Sequence, residues 1–158
     1  MAADIDLIRA LGLQDLVNLT GVKGVKAGVL EGAANNETGE SVAEYAAYNE
    51  FGTADIPSRP FMRKTFDKHS ETWVKGLGKA LANGRSPREA VQLVGMRMAD
   101  DIVATIGSNM SPPNSAATIA RKTKEVTGTG AAKGEKQVPG TLIDTGSLIS
   151  SINYEVLE

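Results

Sequence analysis

The residues best placed to do chemistry lie in Leu142-Ile-Asp-Thr-Gly-Ser147, where an apolar pair runs into Asp-Thr-Gly and a small residue. Two carboxylates sharing one proton can activate water, and a homodimer would supply the second from its other copy. The same residues also describe a helix start, in which Asp144 or Thr145 accepts backbone N–H groups and Gly146 permits the turn. The single histidine, His69, is the other candidate for proton transfer. It sits beside Phe66 and Trp73 with no carboxylate or metal partner at helical spacing, so an edge-of-core or surface role is expected.

Water activation by an Asp-Thr-Gly carboxylate is the chemistry of aspartic proteases, and the rest of the chain argues against it. The retroviral-type protease half places most of its domain after this triplet, whereas twelve residues follow Gly146 here. The preceding chain also patterns as helix where that fold is β. A homodimeric aspartic protease using residues 144–146 is therefore the alternative reading, and the helix cap the first. Gly21-Val-Lys-Gly-Val-Lys-Ala-Gly28 is rich in glycine and lysine but lacks the spacing of a phosphate-cradling loop. With no cysteine and one histidine, the usual zinc ligand sets are missing, so neither a metal nor another cofactor is expected.

The 158 residues suffice for one domain with a real core, and 1–158 is read as a single domain. Seventeen glycines and 4% aromatic residues predict a core built mainly from aliphatic side chains and alanine. Asp4, Asp6 and the short apolar runs near the start predict neither a signal peptide nor a membrane span.

Asp4 can cap a short, broken helix with Leu7, Ile8 and Leu11 on one side, followed by Leu13 to Leu19. Val25, Ala27 and Val29 alternate, which predicts a strand within about 22–31. Asn35-Asn-Glu-Thr-Gly39 is turn chemistry. Ser41 and Glu44 form a Ser-x-x-Glu box that starts a helix ending at Phe51, where Gly52 takes the stop position usually held by a left-handed residue. Ile56-Pro-Ser-Arg-Pro60 must be extended, so the next helix starts near Phe61.

Met62, Phe66, Trp73, Leu77 and Leu81 stripe that helix until Asn83-Gly84. Ser86-Pro-Arg-Glu89 starts another, whose expected buried stripe is Val91, Val94, Met98, Ile102 and Ile106. The two, about 61–82 and 87–107, should pack as an antiparallel pair. An amphipathic piece runs from Ser115 to Glu125. The stretch 126–140 lacks an apolar period and is expected to be a flexible loop. A short helix holding Leu148 and Ile149 precedes an alternating strand over 152–157, expected to pair with the strand near Val25. The fold class is thus α+β, with a small sheet packed by a long antiparallel helix pair and shorter helices.

Net charge is −2, yet Arg121, Lys122, Lys124, Lys133 and Lys136 against Glu125 and Glu135 leave 111–137 positive by three. A solvated loop accounts for this, and nonspecific phosphate contact or docking on an acidic neighbour is the functional reading. No basic recognition helix with interleaved aromatics accompanies it.

Four blocks in order, Asn49-Glu-Phe-Gly-Thr53, Ile56-Pro-Ser-Arg-Pro-Phe-Met-Arg63, Pro113-Asn-Ser-Ala-Ala-Thr-Ile-Ala-Arg-Lys122 and Leu142-Ile-Asp-Thr-Gly-Ser-Leu148, resemble the tailed-bacteriophage neck and tail-completion proteins, also called virion-morphogenesis proteins. The resemblance spans about 22–157. It implies a small α+β virion protein made in the bacterial host cytoplasm and built into the head–tail junction. There it would form a homo-oligomeric ring, six-fold with twelve-fold as the alternative, between the head-closure or connector protein and the tail terminator. DNA would pass through the ring, and no catalytic set would be carried. By the same resemblance Arg59, Pro60, Phe61 and Arg63 fix the start of the long helix or a subunit contact, and Asp144, Thr145 and Gly146 cap the last helix. The family's connection between Lys122 and Leu142 is shorter than this one. A nonspecific DNA-binding accessory protein is the third reading.

Overall fold

The computed structural model describes residues 21–30, 41–120, 141–142 and 146–158. The expected first helix, the 35–39 turn and the 126–140 loop lie outside the described residues. The elements run β1 (Gly24–Val29), α1 (Val42–Phe51), α2 (Phe61–Ala82), α3 (Pro87–Gly107), α4 (Ser147–Ser150) and β2 (Ile152–Leu157). A further helical stretch occupies 116–120, with the Ser115 hydroxyl accepting Thr118 N–H at 3.2 Å. The arrangement is α+β, as the sequence predicts.

β1 and β2 are antiparallel, with Val25 opposite Val156, Ala27 opposite Tyr154 and Val29 opposite Ile152. Period-two alternation puts these six residues on one face, and Lys26 pairs with Glu155 on the other at 2.9 Å. Two strands alone are marginal in water, so the apolar face needs a helix beneath it. α3 supplies that helix and packs against both strands. Gly95 permits the close approach, because a Cβ there would overlap the Tyr154 ring and stand 2.7 Å from Val25 Cγ2.

α3 also packs along α2. Its start carries a complete capping box, in which Ser86 Oγ accepts Glu89 N–H and the Glu89 carboxylate accepts Ser86 N–H at 2.9 Å. The expected stripes need correction. On α3, Ile102 and Ile106 are buried, but Val91, Val94 and Met98 are only half-buried, and Ala90, Gly95 and Asp101 take the interior positions. On α2, Phe61, Thr65 and Trp73 are buried, while Phe66 turns outward to meet Trp73 edge-on at 6.0 Å.

The core gathers Val42 and Ala46 of α1, Phe61 of α2, Ile102 and Ile106 of α3, Met110, Leu142 and Leu148. Burying each large aliphatic or aromatic side chain contributes about 1.5–3 kcal/mol. Among the described residues, every helix except the 116–120 stretch, together with residues 110 and 142, is thereby tied to one cluster.

Candidate functional site

α1 ends where two features of its sequence act together. Gly52 stops the helix with φ +80 and ψ 167, a positive-φ conformation but not the left-handed helical one expected. A Cβ there would stand 2.9 Å from Ser58 N, so glycine also allows the 56–58 backbone to fold back on the helix end. Ser41 Oγ accepts Glu44 N–H as expected, and the Glu44 carboxylate accepts the Tyr48 hydroxyl at 2.6 Å. That hydrogen bond, together with the carboxylate charge, raises the Tyr48 phenol above its ordinary range.

The last turn of α1 carries Glu50, which is 5% exposed. Its carboxylate accepts the backbone N–H of Met62 at 2.8 Å and of Arg63 at 3.2 Å. Those are first-turn donors of α2, and Pro60 at the cap position makes no side-chain cap bond. A carboxylate from α1 therefore caps a helix that cannot cap itself, and its charge suits the positive end of the helix dipole. Arg63 completes the junction through Nε to Glu50 Oε1 at 2.9 Å and Nη2 to the Glu50 carbonyl at 2.8 Å. Its guanidinium lies 5.2 Å from the Phe51 ring centroid.

Arg59 is 6% exposed and joins segments far apart in the chain. Its N–H donates to the Asn49 carbonyl at 2.6 Å, its Nε to the Pro112 carbonyl at 2.8 Å and its Nη2 to the Pro113 carbonyl at 3.2 Å. The guanidinium's fixed fork suits two neighbouring carbonyls. Next in the chain, Asn114 Nδ2 donates to the Thr141 carbonyl at 3.0 Å, and the Thr141 hydroxyl to the Met110 carbonyl at 3.2 Å. Leu142, 2% exposed, then enters the core beside Leu148.

A second polar cluster lies between α2 and α3. Asp101, 6% exposed, accepts Trp73 Nε1–H at 2.8 Å and Arg97 Nε–H at 3.2 Å. His69 Nδ1 lies 3.7 Å from the same carboxylate, and its ring stacks on Trp73 at 6.2 Å. His69 is partly buried at the edge of the helix pair, as expected, and its carboxylate neighbour comes from the facing helix rather than from helical spacing on its own. Further along, Thr65 Oγ1 lies 2.7 Å from the Phe61 carbonyl and 2.7 Å from Thr105 Oγ1, which in turn lies 2.9 Å from the Asp101 carbonyl. Two hydroxyl protons are shared over these three contacts.

Of the residues singled out in the sequence, Arg59, Pro60, Phe61 and Arg63 meet at the α1–α2 junction. Gly146 occupies the cap position of α4 with φ +81, so its part is played by backbone and no side-chain cap bond forms. Asp144, Thr145, Arg121, Lys122, Lys124, Lys133 and Lys136 lie outside the described residues. Sequence reasoning missed Glu50 and Asp101. The signal for Glu50 was a helix opening at Pro60-Phe61 without a capping side chain, and for Asp101 an apolar-stripe tryptophan whose indole N–H needs an acceptor.

Among the described residues, every buried side-chain nitrogen or oxygen has a partner, and no group of acidic or histidine side chains is placed to hold a metal ion. No described helix is long and apolar enough to cross a membrane. Comparison with protein-family models, with curated proteins and with solved structures gives no match.

Proposed function

We propose that this chain is a structural subunit of a tailed-phage head–tail junction, a neck or tail-completion protein. In this reading it forms a ring that joins the DNA-filled head to the tail, six-fold or, alternatively, twelve-fold. Its partners are further copies of itself, the head-closure or connector protein and the tail terminator. The observation that carries the reading is the convergence of the four sequence blocks on which the resemblance rests. Asn49 and Glu50 of the first block hold Arg59, Met62 and Arg63 of the second. Arg59 reaches Pro113, the first residue of the third, and Pro112 just before it, and Asn114 of the third holds Thr141, which immediately precedes the fourth. Leu142 and Leu148 of that fourth block share a core with Phe61.

Residues spaced over about a hundred positions thus act as one brace, and their polar groups are occupied with each other. Such a brace suits a part that must keep its shape under load, since buried, fully bonded polar networks fix one arrangement. The lysines and arginines of 111–137 add a net positive charge suited to nonspecific contact with passing DNA or an acidic neighbour. Gold-labelled antibody against the chain, applied to intact phage particles, tests the placement. Label at the junction of head and tail is expected, and label confined to capsid, tail tip or the unassembled fraction contradicts it.

A further inference from the structure

β2 is one half of a two-stranded sheet, and among the described residues no strand pairs with its other edge. Edge strands are ordinarily blunted by proline, lysine or a bulge. Ile152-Asn-Tyr-Glu-Val-Leu157 has none of these, whereas β1 carries Lys26 and the positive-φ Gly28. α3 presents an exposed apolar flank, with Met96 51% and Leu93 47% exposed. The open edge and this flank lie on the same side of the subunit. A Cβ at Gly28 would stand 2.9 Å from Met62 of α2, so β1 is the strand next to α2 and β2 the far one. Helix residues advance by about 100° each. With Asp101 turned to Trp73 of α2 and Gly95 to the sheet, Met96 points away from α2, below the open edge. We infer that this side is an interface with a second copy of the chain, in which the two β2 strands pair antiparallel about a two-fold axis at Tyr154 and the two α3 helices pack side by side beneath them.

The spacings of strands and helices agree with such a pairing. α3 sits beneath the midline of the sheet, since Gly95 meets Tyr154 of one strand and Val25 of the other. Neighbouring strands lie about 4.8 Å apart, so joining two β2 edges sets the two midlines about 9.6 Å from each other. Helices pack at about 8–10 Å. One pairing therefore gives the strand edge its hydrogen bonds and takes Met96 of both copies out of water. The strand is also self-complementary in this register. Centring on Tyr154 sets Ile152 opposite Val156 and Asn153 opposite Glu155 of the other copy. Asn153 Oδ1 accepts the Tyr154 N–H at 2.8 Å, which leaves its Nδ2 to donate to that Glu155 carboxylate. Centring on Glu155 would instead oppose like charges. A two-fold contact closes with two copies, so no edge of β2 is left to recruit a third. This inference stands apart from the assembly reading and uses none of its premises.

The chain contains no cysteine, so single replacements report the pairing without background. Asn153 and Glu155 are exposed, and Asn153→Cys and Glu155→Cys leave the core untouched. An equal mixture of the two full-length variants is oxidised gently, and its disulfides are identified by proteolysis and mass spectrometry. Directly opposed residues of antiparallel strands stand about 4.5–5.5 Å apart, within disulfide reach, whereas 153 to 153 and 155 to 155 are diagonals of about 7–8 Å. The 153–155 disulfide is therefore expected in large excess over the two like disulfides. A statistical mixture of the three, an excess of either like disulfide, or no disulfide overturns the inference. Sedimentation of the parent chain checks the helix side, with self-association expected and Met96→Glu expected to weaken it by setting two carboxylates against each other. A monomeric parent, or association indifferent to Met96→Glu, overturns the inference as well.

Discussion

Arg59 Nε donates to the carbonyl oxygen of Pro112 at 2.8 Å, across 53 positions of sequence, from a side that is nearly closed to water. With the parallel bond to Pro113, it ties the start of α2 to the chain leaving α3. Arg59→Ala leaves two carbonyls without their donor and a gap behind them, and is expected to cost about 2–4 kcal/mol in urea unfolding. Arg59→Lys keeps the charge but not the fork, so it should recover only part of that loss. If Lys restored full stability, the two-carbonyl geometry would have no energetic weight.

Gly95 is where α3 meets the sheet. A methyl group at this position must displace the Tyr154 ring or Val25, so Gly95→Ala is expected to lower stability by about 1–3 kcal/mol despite the better helix propensity of alanine. Gly76 and Gly78 on α2 have open space around them, and alanine at either should be neutral or stabilising by up to about 1 kcal/mol. Thermal unfolding of the three variants side by side checks the contrast.

Trp73 is the only tryptophan, so its emission reports one site. Asp101→Ala removes the acceptor of the indole N–H, 2.8 Å away, together with the partner of Arg97. A stability loss of about 2 kcal/mol and a shift in Trp73 emission are expected, whereas Asp101→Asn, which keeps an acceptor oxygen, should preserve the emission more closely. Identical spectra for the alanine variant and the parent would refute the assigned contact.

Glu89 titrates below the ordinary carboxylate range because the backbone N–H of Ser86 donates to it, with the Ser86 hydroxyl adding a second bond. A depressed carboxylate contributes stability above its unfolded-state value and loses it as pH falls through the folded-state value. Glu89→Gln should therefore lie below the parent at neutral pH, with the difference shrinking in acid. Denaturant midpoints measured from neutral to strongly acidic pH test the sign, and a gap that widens in acid would contradict it.

Local signals in the sequence located most of the elements. Pro60 put the start of α2 at Phe61, the Ser86–Glu89 box opened α3, and alternation at Val25, Ala27 and Val29 matched that at 152–157. What could not be read were contacts whose second partner lies on another element. Glu50 looks like an ordinary helix-end acid until α2 folds against it, and Asp101 finds Trp73 at a separation of 28 residues. The stripe on α2 went astray for a related reason. Thr65 satisfies its hydroxyl at the Phe61 carbonyl and Thr105, which lets a small polar residue occupy the tight helix contact while Phe66 stays at the rim. The candidate site was legible as the motif Arg59-Pro-Phe-Met-Arg63, but its role as a brace appeared only with the carbonyls of Pro112 and Pro113.

The proposed joining of heads to tails is open to electron microscopy of a lysate from a phage lacking the gene for this chain, with the gene resupplied from a plasmid as the control. DNA-filled heads and finished tails lying separate are expected, and joined particles once the chain is restored. Joined particles in its absence, or heads that fail to fill, would contradict it.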